Sequence, residues 1–313
     1  MLVQLGSMRT ALAEALLELG SKDSRIVALG ADTSVSIKTS LFGDRFPERF
    51  FNVGIAEANM IGIAAGLALS GRIPFVSTYS AFVPGKCLDQ IRNAVAYPKL
   101  DVKIVSSHGG LSVGPDGASH QTVEDLAAMR AVPNMHVLVP SDGPSTRTLI
   151  MQAATTSGPF YFRLARPDVP TIHAATSDLK VGKAKVLRAG KDVSLIACGL
   201  LVNEALEAAE TLSKENITAE VIDSHTLKPL DTETILKSAR KTGAIVTSEE
   251  HNVIGGLGGA VAEAVCDSYP VPVARVGIRD TFGESGEHSE LMKKYGLTSK
   301  EIADAAKRIV RSR

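Results

Sequence analysis

The sequence has no tryptophan, and aromatic residues make up only 4% of its 313 positions, although 44% are hydrophobic. Its cores must therefore be built from closely packed Ala, Val, Leu and Ile, and any exposed aromatic pair stands out. A net charge is also missing, because 34 Lys and Arg balance 34 Asp and Glu. That balance removes the electrostatic case for nucleic acid or an anionic membrane, while leaving room for a local anion site. Only three cysteines occur, Cys87, Cys198 and Cys266, odd in number and far apart. They suit neither a disulfide framework nor a zinc site, and they fit a reducing compartment. The N-terminus lacks the regions of a signal peptide, and the longest apolar stretch, residues 60–69, is too short and too glycine-rich to span a bilayer. A cytoplasmic location is the expectation.

Several nucleotide and hydrolase signatures are absent as well. Pro84-Gly85-Lys86-Cys87 lacks the upstream glycine and the hydroxyl of a Walker A loop, and no Gly-x-Ser-x-Gly elbow occurs. The run Gly255-Gly256-Leu257-Gly258-Gly259 follows a strand and opens a helix, but Val261 occupies the place of the third small residue. A tight turn with close helix packing explains it better than a dinucleotide site.

What is present is a repeated alternation of short apolar strands and amphipathic helices. Met8, Leu12, Leu16 and Leu19 recur at helical spacing, with Gly20 as the stop, and residues 26–29 form a buried strand. A helix is expected over 57–69, where Gly62 and Gly66 invite close approach of another element, and others over 88–96 and 122–130. Strands are expected at 73–77, 102–105, 137–139 and 160–162. Residues 166–191 break the rhythm with prolines, polar residues and a short hairpin, which marks a domain crossover. Strands at 193–197, 219–222 and 244–247 then alternate with helices at 202–212, 232–239, 257–266 and 299–310. The expected architecture is α/β, with two parallel-sheet domains over 1–175 and 185–313.

The segment 108–124 carries His108, Asp116 and His120 on a glycine-rich loop between a strand and a helix. Polar groups on such a loop suit a small-molecule site. A metal site at this spacing is disfavoured, since no HExxH frame or second ligand cluster accompanies it. Glu57 opens an apolar helix. It is either a first-turn glutamate favoured by the helix dipole or a carboxyl able to share a proton with a ligand base. Tyr79 and Phe82, three apart after a strand, are either core or a ring-stacking platform. Arg9, Ser36, Arg163 and Arg166 are individually ordinary, although Arg166 follows a strand where α/β ligands gather.

Several segments together resemble the C-terminal half of transketolase, over nearly the whole chain. They are GADTSVS at 30–36, NVGIAEANM at 52–60, STYSAFVPGKCLDQIRNAV at 77–95, the 108–124 loop, PNM at 133–135 and TFGESGEHSELMKKYGLT at 281–298. The resemblance implies a pyrimidine-binding domain of the thiamine diphosphate fold followed by a Rossmann-like C-terminal domain. It implies that Glu57 hydrogen-bonds the aminopyrimidine of thiamine diphosphate, so that proton exchange there activates the thiazolium C2. Tyr79 and Phe82 would wall that ring, and Asp32 would lie near the cofactor. His108 and His120 would polarise oxygens or move protons, and Asp116 would read the hydroxyl beside the ketose carbonyl. Arg9, Ser36 and Arg166 would hold the sugar phosphate, with Arg163 a weaker candidate.

The implied reaction is transfer of a two-carbon ketol unit from a ketose phosphate to an aldose phosphate, a step of the pentose phosphate pathway. One departure matters for assembly. The family's Gly-Asp-Gly motif for the diphosphate and its metal, Mg²⁺ or Ca²⁺, does not occur; Pro115-Asp116-Gly117 and Ser141-Asp142-Gly143 do not replace it. Because the sequence opens where the pyrimidine-binding domain opens, the expectation is one subunit of a split transketolase. It would be inactive alone and completed by a partner with the diphosphate half, as an α2β2 heterotetramer, with a self-dimer in isolation. A smaller departure is Gly85, where many relatives carry an aromatic or basic residue. The rivals are a 2-oxoacid dehydrogenase β subunit, a deoxyxylulose-phosphate synthase fragment and a non-catalytic regulatory partner. The two loop histidines and the Arg9, Ser36 and Arg166 set argue against the first, His120 and the PDGASHQ wording against the second, and an intact Glu57 against the third.

Overall fold

The computed structural model describes residues 4–311. Seven strands form one sheet, in the spatial order Phe50–Asn52, Ile26–Gly30, Ile73–Ser77, Lys103–Ser106, Phe160–Arg163, His136–Leu138, Thr226–Lys228. The first six are mutually parallel, and Thr226–Lys228 adds antiparallel to His136–Leu138. A five-stranded sheet follows, in the order Val273–Ile278, Ile245–Asn252, Val193–Ala197, Ala219–Asp223, Lys185–Arg188, with the last strand antiparallel. Strands buried on both faces need continuous apolar runs, and Ile26–Gly30, Ile73–Ser77 and Val193–Ala197 are buried at every position. The α/β expectation holds for both halves. Among the described residues, no helix is long and apolar enough to cross a membrane.

Departures from the sequence reading have local causes. Gly20 does not stop its helix, which runs Met8–Lys22. A Cβ at Gly20 would overlap the rings of Phe42 and Phe46, so the glycine makes room for aromatic packing. Gly62 and Gly66 have no neighbour where a Cβ would stand, and both are exposed. The hairpin expected within 166–191 is absent. Val169–Pro170 pairs with Leu5–Gly6, and Lys185–Arg188 pairs with Ala219–Asp223. The helix Gly143–Thr155 was not foreseen, because its Ser and Thr content reads as loop. It is fixed by Asp142, which accepts from Ser145 N at 2.8 Å in a capping box, with a proline in the first turn.

The glycine run at 255–259 leads into the helix Leu257–Ser268, and that helix start already holds an anion. Glu249 accepts from Leu257 N at 2.6 Å and Gly258 N at 2.8 Å, and a Cβ at Gly256 would collide with its carboxylate. The expectation of a packing turn is correct, with the chain's own carboxylate where a dinucleotide phosphate would sit.

The two sheets are joined by backbone. Gly199 N, just past the strand Val193–Ala197, donates to Val139 O at 3.3 Å, and Asn252 N donates to Val123 O at 2.8 Å, beside the histidine-bearing loop.

Candidate active site

In the larger sheet the chain leaves Ile26–Gly30 toward Phe50–Asn52 on one side, then crosses back to Ile73–Ser77 on the other. Such a reversal opens a crevice at the carboxyl ends of the strands. Apart from Arg9 and Ser36, the candidates lie within a few residues of such an end or, for Asp116 and His120, farther along the loop that leaves one. Asp32 follows the strand ending at Gly30, Glu57 the one ending at Asn52, Tyr79 and Phe82 the one ending at Ser77. His108 and the loop follow Ser106, and Arg166 follows Arg163. Arg9 comes from the first turn of Met8–Lys22, and Ser36 from the short helix Ser34–Ile37.

The structure links most of these residues into a strip. At one end Glu57, only 3% exposed, opens the helix Glu57–Leu69. Its carboxylate receives Lys86 Nζ at 3.2 and 3.3 Å, and the same ammonium lies 4.3 Å from the centre of the Phe82 ring. Phe82 meets the edge of His120 at 5.3 Å and Tyr79 at 5.8 Å. Tyr79 stacks on His108 at 4.1 Å, and its hydroxyl donates to Ser36 Oγ at 3.0 Å. Arg9 Nη1 donates to Ser36 O at 2.9 Å, while its buried Nε has no hydrogen-bond partner among the described residues. Arg166 binds Asp116 Oδ1 at 3.1 Å and the Val113 carbonyl, which fixes the far side of the loop.

Asp32 stands apart from this strip. It is exposed, and its N–H donates at 3.0 Å to Asn52 Oδ1, which also receives Gly54 N, so it sits at the rim of the turn leading to Glu57. Arg163 is excluded from the strip by its bonds. It is buried, pairs with Asp125 Oδ2 at 3.0 Å and donates to the carbonyls of Thr122 and Glu250. Lys86 escaped the sequence reading, although its spacing of four from Phe82 puts the two side chains on one face of a helix start. Gly85 indeed leaves open space, and the neighbouring lysine, rather than an aromatic ring, covers Phe82.

The loop between the strands is neither regular helix nor strand. A 3₁₀ segment, Leu111–Asp116, is broken at Gly114, where φ is 80°. His108 itself has φ of 62°, in the left-handed region. A non-glycine residue there costs about 1 kcal/mol or more, which the surrounding contacts must offset. Burial, reinforced by Arg9 and Arg166, pushes the His108 imidazole down to about 3 against a partial opposing pull from Asp116. His108 is therefore a neutral imidazole at working pH, with Ser107 Oγ 3.1 Å from Nδ1. Because the folded value lies below the unfolded one, its contribution to stability is present above about pH 6.5 and is lost as pH falls toward 3. An NMR titration should show no imidazolium at His108 above about pH 4; a midpoint near 6.5 would contradict the burial argument.

Comparison with known proteins now bears on this geometry. The model of the transketolase pyrimidine binding domain matches residues 6–171, and that of the transketolase C-terminal domain matches 182–302. The chain belongs to the transketolase family. It is 46% identical to the 6-deoxy-6-sulfo-D-fructose transketolase subunit of Clostridium sp. (strain MSTE9), over 96% of this chain and 93% of that one. It superposes with a TM-score of 0.90 on a solved structure described as a split gene transketolase, inactive beta4 tetramer, at 48% identity and 98% coverage of each chain. Against human transketolase the identity is 40% over 96% of this chain but 49% of the relative, so the chain spans about half of that protein.

Family membership makes thiamine diphosphate the implied cofactor, and the strip fits its pyrimidine end. A buried carboxylate matches a ring nitrogen, the Phe82 and Tyr79 rings match a heterocycle, and the half-exposed Lys86 side chain reaches both the carboxylate and the ring face. No group of three or more His, Cys, Asp or Glu side chains suited to a metal ion occurs among the described residues.

Proposed function

We propose that this chain is the pyrimidine-side and substrate-side half of a two-chain transketolase. With a partner carrying the diphosphate-binding domain, it would transfer a two-carbon ketol unit from a ketose phosphate to an aldose phosphate. The observation that carries this reading is the strip itself, a buried Glu57 at one end, aromatic rings and imidazoles in the middle, and Arg9 and Arg166 beyond them. Support also comes from full-length similarity to chains described as a transketolase subunit and a split-gene transketolase. The division near residues 175–185, an α2β2 assembly and a reducing cytoplasmic setting belong to the same proposal; the three cysteines are free thiols.

Thiamine diphosphate, when bound, supplies the nucleophilic carbon and the electron sink for carbon–carbon cleavage. Glu57 would hold the pyrimidine nitrogen and exchange a proton with it, with Lys86 swinging aside from the carboxylate. Phe82 and Tyr79 would fix the plane of the ring and exclude water. Neutral His108 can donate to a substrate oxygen from one ring nitrogen and accept a proton at the other, and His120, across the Phe82 edge, can share that work. Asp116 would accept from the hydroxyl beside the carbonyl. Arg9, Ser36 and Arg166 would bind the terminal anion, so that binding energy far from the reacting carbon orients it. Mg²⁺ or Ca²⁺ and the diphosphate would be held mainly by the partner.

Two cationic side chains beside His108 favour a substrate with an anionic tail over a simple 2-oxoacid. The test mixes this chain with a diphosphate-domain partner, thiamine diphosphate, Mg²⁺, xylulose 5-phosphate and ribose 5-phosphate. Sedoheptulose 7-phosphate is the expected product. Turnover of pyruvate with an electron acceptor, and none of the sugars, would overturn the reading. A 6-sulfo ketose as competing donor tells whether the far-end cations distinguish sulfonate from phosphate.

A further inference from the structure

The smaller sheet has no direct part in the strip, yet the carboxyl end of its strand Ile245–Asn252 grips the substrate loop at both feet. Glu250 is 4% exposed, and its carboxylate accepts from Ser112 N and from Ser112 Oγ, the latter at 3.2 Å. Ser112 lies midway between His108 and Asp116. The next residues reach the other foot. His251 Nε2 accepts from Ala127 N at 3.4 Å, and Asn252 N donates to Val123 O at 2.8 Å. Between the feet, Arg163 donates to the Glu250 carbonyl at 2.8 Å and to Thr122 O at 3.2 Å, while Gly110 N donates to the same Thr122 O at 2.9 Å.

The approach of Glu250 is built into the loop sequence. Gly110 has φ of +83°, and a Cβ there would overlap the Glu250 carboxyl. A side chain at 110 would thus push the carboxylate off Ser112. Among the described residues, no other side chain bonds Ser112 N or Oγ; the remaining hydrogen bond of Ser112 Oγ goes to the Gly109 carbonyl at 3.4 Å. Among the described residues, no hydrogen bond or ion pair joins Glu250 to a strip residue, so whatever it does for the reaction it does through the backbone of the loop.

We propose that Glu250 is a positioning residue, the tie by which the C-terminal domain sets the height of the 109–116 loop and with it His108 and Asp116 over the aromatic platform. The C-terminal domain then acts as a gauge for the substrate side of the site. Burial raises the Glu250 carboxyl to about 7, against the opposing pull of Arg163 and Ser112. Either protonation state keeps an oxygen available to Ser112 N, so the tie does not depend on ionisation.

The functional half of this inference rests on the transketolase reading, whereas the structural half does not, and the experiment separates them. Hydrogen–deuterium exchange is measured on the full chain alone for wild type, Glu250→Ala, Glu250→Gln and Ser112→Ala. In Glu250→Ala the amides of residues 110–114 should exchange about tenfold faster or more, with Val193–Ala197 unchanged. Glu250→Gln retains an acceptor for Ser112 N and a donor for its hydroxyl, and should stay near wild type. Ser112→Ala removes one of the two bonds and should fall between, which keeps the test decisive should Glu250→Ala fail to fold. With the partner present, the KM of the ketose donor should rise about tenfold in Glu250→Ala while kcat changes less than about threefold, as for loss of about one hydrogen bond to a charged group. Unchanged loop exchange in both Glu250→Ala and Ser112→Ala would overturn the tie, as would loosening of the core strands to the same degree. Faster loop exchange with unaltered KM and kcat would overturn the positioning role while leaving the tie in place.

Discussion

Glu57→Gln is expected to lower ketol transfer by the reconstituted enzyme about 10²–10⁴-fold, the range associated with loss of a positioned proton-transfer group. The side chain is buried at the first position of the helix Glu57–Leu69, and no capping side chain precedes it. The amide has the shape of the carboxylate and can still hydrogen-bond a ring nitrogen, but it cannot take or return a proton there. What it forfeits structurally is the ion pair with a half-exposed lysine, worth about 1 kcal/mol or less. Subunit assembly, followed by size-exclusion chromatography, should therefore persist while a coupled product assay loses its signal. Normal turnover in the variant would remove Glu57 from the proton relay.

The second large effect concerns the opposite end of the strip. Arg166→Ala should raise the KM for phosphorylated donors about 10–100-fold, the loss of a charge-assisted hydrogen bond of about 1.5–3 kcal/mol. Arg166 also holds the Val113 carbonyl and Asp116, so part of any loss will reflect a looser loop. An unphosphorylated ketose measures that part alone. The account requires a clear excess for the phosphorylated donor in steady-state kinetics. Equal losses for both donors would take Arg166 out of the anion site and leave it as a loop anchor.

The sequence was most readable where periodicity and burial agree. The helix over 57–69 and the strand over 73–77 fall where the pattern puts them, because a strand buried on both faces favours a nearly continuous apolar run. It was least readable where a segment is stabilised by something distant. Nothing near Lys185–Arg188 shows that it pairs with Ala219–Asp223, and Thr226–Lys228 leaves its own half to extend the larger sheet. The site followed the same rule. His108, Asp116 and His120 were visible as polar groups on a glycine-rich loop, and Tyr79 and Phe82 stood out in a chain poor in aromatics. Lys86 and Glu250 were not, since the first lies on an ordinary helix start and the second inside a strand, and their meaning comes only from what they touch. Arg9 and Ser36 needed the resemblance to be grouped at all, because 27 residues separate them in the chain.

The central claim is that this chain holds one half of an active site and a second chain holds the other. The most direct measurement is a titration of ketol-transfer activity, with this chain fixed and the diphosphate-domain chain added from zero to excess. Activity should be absent with either chain alone, rise linearly as the partner is added and break to a plateau at equimolar chains. Full activity of this chain without the partner, or no activity at any ratio, would contradict it.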